Sequence, residues 1–189
     1  MWRIESWQRA DPLWQNARGT GAGGAAVDQA RLREVVEADD YIDEDGVDAY
    51  LSGVREALRE VERLIRAGSP NEAIALTEYA ITALERVEID DVDGALVDVL
   101  DRAQEIHLDA CAAGTPDPAA LAESLVTLAL DSENGVFVEA LPEYGQILGQ
   151  DGLRRYRELL DREDAVTTSR QRRYVLDVLA ERLVGASAY

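Results

Sequence analysis

An all-α protein of stacked antiparallel helix hairpins, a short α-solenoid of the tetratricopeptide or HEAT kind, is the fold this sequence predicts. Three observations predict it. From residue 27 onward apolar residues recur at intervals of three and four, and no segment alternates at period two for long enough to make a strand. Two turns of the form Ala-Gly-Ser/Thr-Pro, at 67–70 and 113–116, each close one long helix and open an alanine-rich one. Their glycines, Gly68 and Gly114, stand 46 positions apart, a period of the size two-helix repeats use, although too long for tetratricopeptide units.

The elements follow in order. Residues 1–18 hold all three tryptophans, Trp2, Trp7 and Trp14, with Asp11-Pro12 interrupting any long helix. The stretch GTGAGGAA at 19–26 reads as a flexible linker. Residues 1–26 are therefore expected to be an arm and linker, and 27–189 the helical domain. Tryptophan is costly to leave in water, so the arm is expected to dock on the body or in a partner's groove through Trp7 and Trp14. DQARLREVVEA predicts a short helix. DDYIDEDGVD, with six acids in ten, reads as a solvated loop and helix start, and offers Asp43 and Asp45 to a basic partner. Val47, Tyr50, Leu51, Val54, Leu58, Val61, Leu64 and Ile65 make a strongly amphipathic helix ended by Gly68. Ser69-Pro70-Asn71-Glu72 then offers Ser as cap and Pro at the first helical position.

A further helix is expected over about 95–112, capped by Asp91 or Asp93, and another from Asp117-Pro118 to about Leu130. The spacing predicts a helix over about 133–148 with a kink at Pro142. GLRRYRELLDR makes the next, and Tyr174, Val175, Val178, Leu179 and Leu183 mark the last.

The formal charge is −19 and the pI about 4.3. All 19 basic residues are arginine, and residues 150–189 carry eight of them against seven acids, so nearly all the excess lies upstream. Such a body repels phosphate backbones, which argues against direct nucleic-acid binding; solubility or adaptation to salt is the default reading of the charge, and an acidic surface can also receive a basic protein partner. The lone cysteine precludes an internal disulfide framework and suits a reducing compartment. With no signal-peptide pattern and no window near the roughly 18 apolar residues of a membrane span, a cytoplasmic protein that makes no membrane contact is expected.

The one histidine and one cysteine, His107 and Cys111, stand four apart on the stripe Leu96, Val99, Leu100, Ala103, Ile106, Ala110. Both bind zinc, but zinc wants three or four protein ligands and no other His or Cys exists. A Cys–His nucleophile would need access, an orienting third group and an oxyanion site. The pair is therefore expected to be core, with His107 bonded to Glu78 or Tyr79 of a neighbouring helix. Asp90, Asp91 and Asp93 crowd the start of the same helix, where acids cap N–H groups and suit the dipole. They do not make an EF-hand: Gly46 at loop position 6 puts Tyr41 first and Ser52 last, and Gly94 there puts Ile89 first and Leu100 last. No phosphate loop or Rossmann fingerprint is present, and no cofactor is expected.

RLREVVEADDYID, IDDVDG, IHLDACAAGTPDPAALAESL and EYGQILGQDGLRRYRELL resemble, in order and spacing, the helical region of bacterial SWIM zinc-finger proteins, over roughly residues 28 to 160. Asp90, Asp91, Asp93, His107, Cys111, Pro116 and Pro118 carry the resemblance. It implies an all-α, repeat-like module serving interactions. The finger itself needs three cysteines and a histidine, so neither zinc nor nucleic-acid binding comes with it. The expected function is a non-enzymatic acidic module that binds another protein through a groove lined by aromatics such as Tyr79 and Tyr144, with homo-oligomers an option. Two alternatives are a DNA-mimic or antitoxin-like regulator filling a basic site, and a metal-binding protein or metal-dependent enzyme using Asp91, Asp93 and His107.

Overall fold

The computed structural model describes residues 25–38 and 41–186. Among these the chain is all-helical, with α1 (Ala25–Val36), α2 (Glu44–Arg66), α3 (Pro70–Leu84), α4 (Ala95–Ala113), α5 (Pro118–Asp131), α6 (Leu141–Val166) and α7 (Arg170–Ala186). The Trp-bearing arm, with Trp7 and Trp14, lies outside the described residues.

Local sequence sets most of the boundaries. Asp43 caps α2 by accepting from the Gly46 N–H at 3.1 Å. The apolar stripe of α2 is buried at Val47, Leu51, Val54, Ala57, Leu58 and Val61. Its end is a Schellman closure: Gly68, at φ 86°, donates to the Ile65 carbonyl and Ser69 donates to that of Leu64. Asp117 caps α5 through the Ala120 N–H at 2.8 Å, with Pro118 in the first turn. Ser69 begins α3 without a side-chain cap bond, contrary to the capping expected of it; at φ −113°, ψ 51° its backbone is out of the capping geometry and only its carbonyl is used.

Two expectations are corrected between residues 133 and 150. No helix starts at Glu133; turns run to Ala140, and Pro142 sits in the first turn of α6, where its missing N–H costs nothing. The helix is not kinked at Pro142; it breaks at Gly149, at φ 56° and ψ −169°, between the two helices the sequence separates there. The described residues also contain one isolated parallel bridge, Ile42 to Ile89, tying the α1–α2 connection to the α3–α4 loop. Ile42 N–H donates to the Glu88 carbonyl and Asp90 N–H to that of Ile42, each at 2.9 Å.

Helices that pack substantially are never more than two apart in chain order: each meets its next neighbour or the one beyond. Such quasi-one-dimensional packing is what a helical-repeat arrangement produces. The register agrees. Glu78 of α3 meets Ser124 of α5, 46 positions on, and Glu85 meets Ser132, 47 positions on. An open depression between α2 and α4 is lined by Glu62 with Asp109, Ile65 with Ala112 and Arg66 with Ala113, each pair at a matching offset. α4 starts at Ala95 and α6 at Leu141, again 46 apart. The closest packing joins α3 with α4, α5 with α6 and α6 with α7, and α1 covers α2 and α3 with Leu32 and Val36. Ala73 and Ala80, Ala103 and Ala110, and Ala122 and Ala129 are each fully buried two turns apart on α3, α4 and α5, letting these helices approach closely. No helix among the described residues is long and apolar enough to cross a membrane.

Candidate functional site

The opening of α4 is built by Asp91. Both its carboxylate oxygens are taken by backbone donors, Ala95 N–H at 3.0 Å and Leu96 N–H at 2.7 Å. Gly94 supplies the left-handed residue, φ 75°, that lets the chain turn back onto that carboxylate. Asp90 and Asp93 stay exposed beside it. Twelve residues into the helix, roughly 18 Å along its axis, His107 is completely buried. Asp91, Asp93 and His107 are therefore not brought together, and no group of three His, Cys, Asp or Glu side chains among the described residues is arranged to hold a metal ion.

His107 is a junction between helices. Its Nδ1 lies 2.8 Å from the Tyr144 hydroxyl on α6, and its Nε2 lies 3.3 Å from Glu78 Oε1 on α3. The carboxylate only accepts, so Nε2 donates to it and Nδ1 accepts from Tyr144. Ser124 of α5 donates to the same Glu78 oxygen. Phe137 meets the imidazole edge-on, with ring centroids 5.3 Å apart. Glu78 is thus the partner that the sequence pointed to, while Tyr79 is engaged elsewhere: it donates to Glu37, and the Arg33 guanidinium sits 5.2 Å from its ring centroid. Tyr144, expected to line a groove, is fully buried instead, its hydroxyl donating to His107 Nδ1, while the Gln104 carbonyl, 3.4 Å away, competes for the same proton. Burial raises its ionisation well above the ordinary phenol range.

Cys111 Sγ lies 3.8 and 3.9 Å from the two imidazole nitrogens. Burial, with the Glu78 charge adding to it, pushes its thiol up to about 12. A thiol that high stays protonated at neutral pH. The pair belongs to the core.

The loop over this junction is held from a distance. Glu85, at the C-terminus of α3, accepts from the Ser132 hydroxyl, from Glu133 N–H at 3.1 Å and from Asn134 Nδ2 at 2.9 Å. Gln104 Oε1 accepts from Phe137 N–H at 2.8 Å, fixing a residue whose φ of 66° a bulky side chain rarely adopts. Neither Glu85 nor Gln104 was singled out by the sequence, since each acts on a segment far along the chain.

The outward face of α4 is of another kind. Asp98, Asp101, Glu105 and Asp109, at helical spacing, are all exposed. Arg102 serves Glu105 at 2.6 Å and Glu62 of α2 at 3.2 Å. Asp98, Asp101 and Asp109 pair with no arginine among the described residues, although ion pairs are plentiful on α2, α6 and α7. The row was legible in the sequence as acids three and four apart, on the side opposite the His107 stripe. Of the other residues expected to bind, Asp45 is exposed in the first turn of α2 and Asp43 is occupied as its cap. Pro116 and Pro118 shape the α4–α5 turn, half-buried.

The sequence matches a family of unknown function, DUF6880, over residues 15–186. No curated protein and no solved structure matches it. The resemblance to the helical region of SWIM zinc-finger proteins finds no support in these matches. A match over nearly the whole length, covering every described helix, places the chain in the DUF6880 family.

Proposed function

We propose that this protein is a non-enzymatic interaction module whose acidic α4 face receives a basic segment of another protein. The observation that carries the reading is the row Asp98, Asp101 and Asp109, exposed on α4 and without arginine partners among the described residues. Carboxylates left uncompensated beside well-paired neighbours repel one another, and a cationic ligand relieves that repulsion while being steered in by the field of the whole acidic body. The interior supports the same reading from the other side. Its His, Cys and Tyr hydrogen-bond one another out of solvent's reach, in an arrangement suited to holding helices together rather than to meeting a substrate.

The test is a paired capture from host extract, with the wild-type chain and the D98N/D101N/D109N variant as parallel baits. The reading predicts a basic protein retained by the first and lost from the second. Retention of the same proteins by both would contradict it.

A further inference from the structure

The acidic row on α4 runs into an apolar seat. One turn beyond Asp109, Ala112 is exposed on the same face, with Ala113 beside it. Together with Ile65 of α2 they form the apolar part of the open depression between the two helices, which measures about 430 Å³. Three charged side chains complete its lining, Glu62, Arg66 and Asp109. Two of them satisfy each other: Arg66 lies 3.5 Å from Glu62, which also takes Arg102 at 3.2 Å. The third, Asp109, is exposed and pairs with no arginine among the described residues. The depression therefore joins apolar surface to a single uncompensated carboxylate, the one that closes the row Asp98, Asp101, Asp109. Row and depression together extend roughly 21 Å along the axis of α4, from Asp98 to Ala112.

We propose that the basic segment received by α4 carries an apolar side chain of leucine size or larger at one end. That side chain seats in the α2–α4 depression while the cations of the segment lie along Asp109, Asp101 and Asp98. The inference rests on α4 being the receiving face, and it adds which kind of basic segment is accepted. An open depression covers too little of a free small molecule to hold it. A segment already lying along α4 has given up its overall freedom, so burying one of its side chains against Ile65, Ala112 and Ala113 adds directly to affinity. Charge alone accepts any cationic chain. The apolar seat gives the row a direction and selects an amphipathic segment, basic along its length and apolar at one end. An acidic segment is repelled by the row, and an apolar one without cations leaves its carboxylates uncompensated.

Three dye-labelled peptides of equal charge, titrated with the full chain, test this: an oligoarginine, and the same oligoarginine ended by two leucines at its N-terminus or at its C-terminus. The expected result is that one leucine-ended peptide binds about tenfold tighter than plain oligoarginine. The A112Q/A113Q variant, changed at two exposed positions and verified as folded by circular dichroism, should erase that gain and leave plain oligoarginine unchanged. D98N/D101N/D109N should weaken all three peptides. Equal affinities of the three for the wild-type chain, with D98N/D101N/D109N still weakening them, would overturn the inference and leave the acidic-face reading standing. Plain oligoarginine indifferent to D98N/D101N/D109N would sink that reading and the inference with it. A gain that survives A112Q/A113Q also contradicts the inference, because the apolar end then lies elsewhere. So does self-association of the full chain that A112Q/A113Q disperses, since the depression then belongs to a second copy.

Discussion

With one ring nitrogen on Tyr144 and the other on Glu78, His107 draws α3, α4 and α6 together through a single side chain. His107→Ala removes that link and leaves a buried hydroxyl short of a partner, so unfolding free energy should fall by roughly 2–4 kcal/mol by urea titration. His107→Gln, which keeps polar atoms at the site, should lose less. Cys111 gives a pH signature. Its thiol ionises near 9 in an unfolded chain and only at about 12 in the fold. Above pH 9 the unfolded state therefore binds fewer protons than the folded one, and stability must fall as pH rises from about 9 toward 12. Tyr50, held at about 12 by burial against an ordinary 10, adds to the fall from pH 10 upward. Cys111→Ser should delay the onset of the decline by about one pH unit, read from denaturation midpoints between pH 8 and 11; an unchanged onset would contradict the assignment. The burial of the His–Cys pair was legible from its spacing, and Glu78 was one of the two partners the sequence offered, Tyr79 being the other. The burial of Tyr144 was not legible, because it depends on where α6 begins.

That start was misread for a reason found at the level of elements. Residues 133–140 have helix-compatible composition, but Glu85 and Gln104 hold them as turns through bonds spanning 33 to 49 positions. No local pattern reveals such a constraint. Three local determinants are met, with Gly68 ending α2, Asp91, one of the two acids the sequence offered, holding the start of α4, and Asp117 capping α5, whereas Ser69 does not cap α3. The caps yield a contrast that thermal or chemical denaturation can check. Asp91→Ala and Asp117→Ala should each cost about 1 kcal/mol, more for Asp91 because both its oxygens are used. Ser69→Ala, at a position that looks in the sequence like the strongest cap of all, should cost less than about 0.5 kcal/mol, since its hydroxyl makes no cap bond. Equal losses at Ser69 and Asp117 would contradict these cap assignments.

For the molecule as a whole, the 46-residue spacing of Gly68 and Gly114 is also the spacing of Glu78 and Ser124, which meet between α3 and α5. The same order distributes charge. Arginines on α6 and α7 are largely absorbed in ion pairs with the acids around them. Residues 41–131 keep most of the net −19, and on α4 it stands as a row facing outward. An acidic surface of this kind should bind basic polypeptide with an affinity that falls steeply as salt screens it. The most direct measurement is the anisotropy of a dye-labelled oligoarginine peptide titrated with the full chain, and with D98N/D101N/D109N, at low and near-physiological salt. The proposed function predicts saturable binding that weakens at least tenfold in the variant and declines with salt. Equal affinity for the two chains, or no binding at low salt, would contradict it.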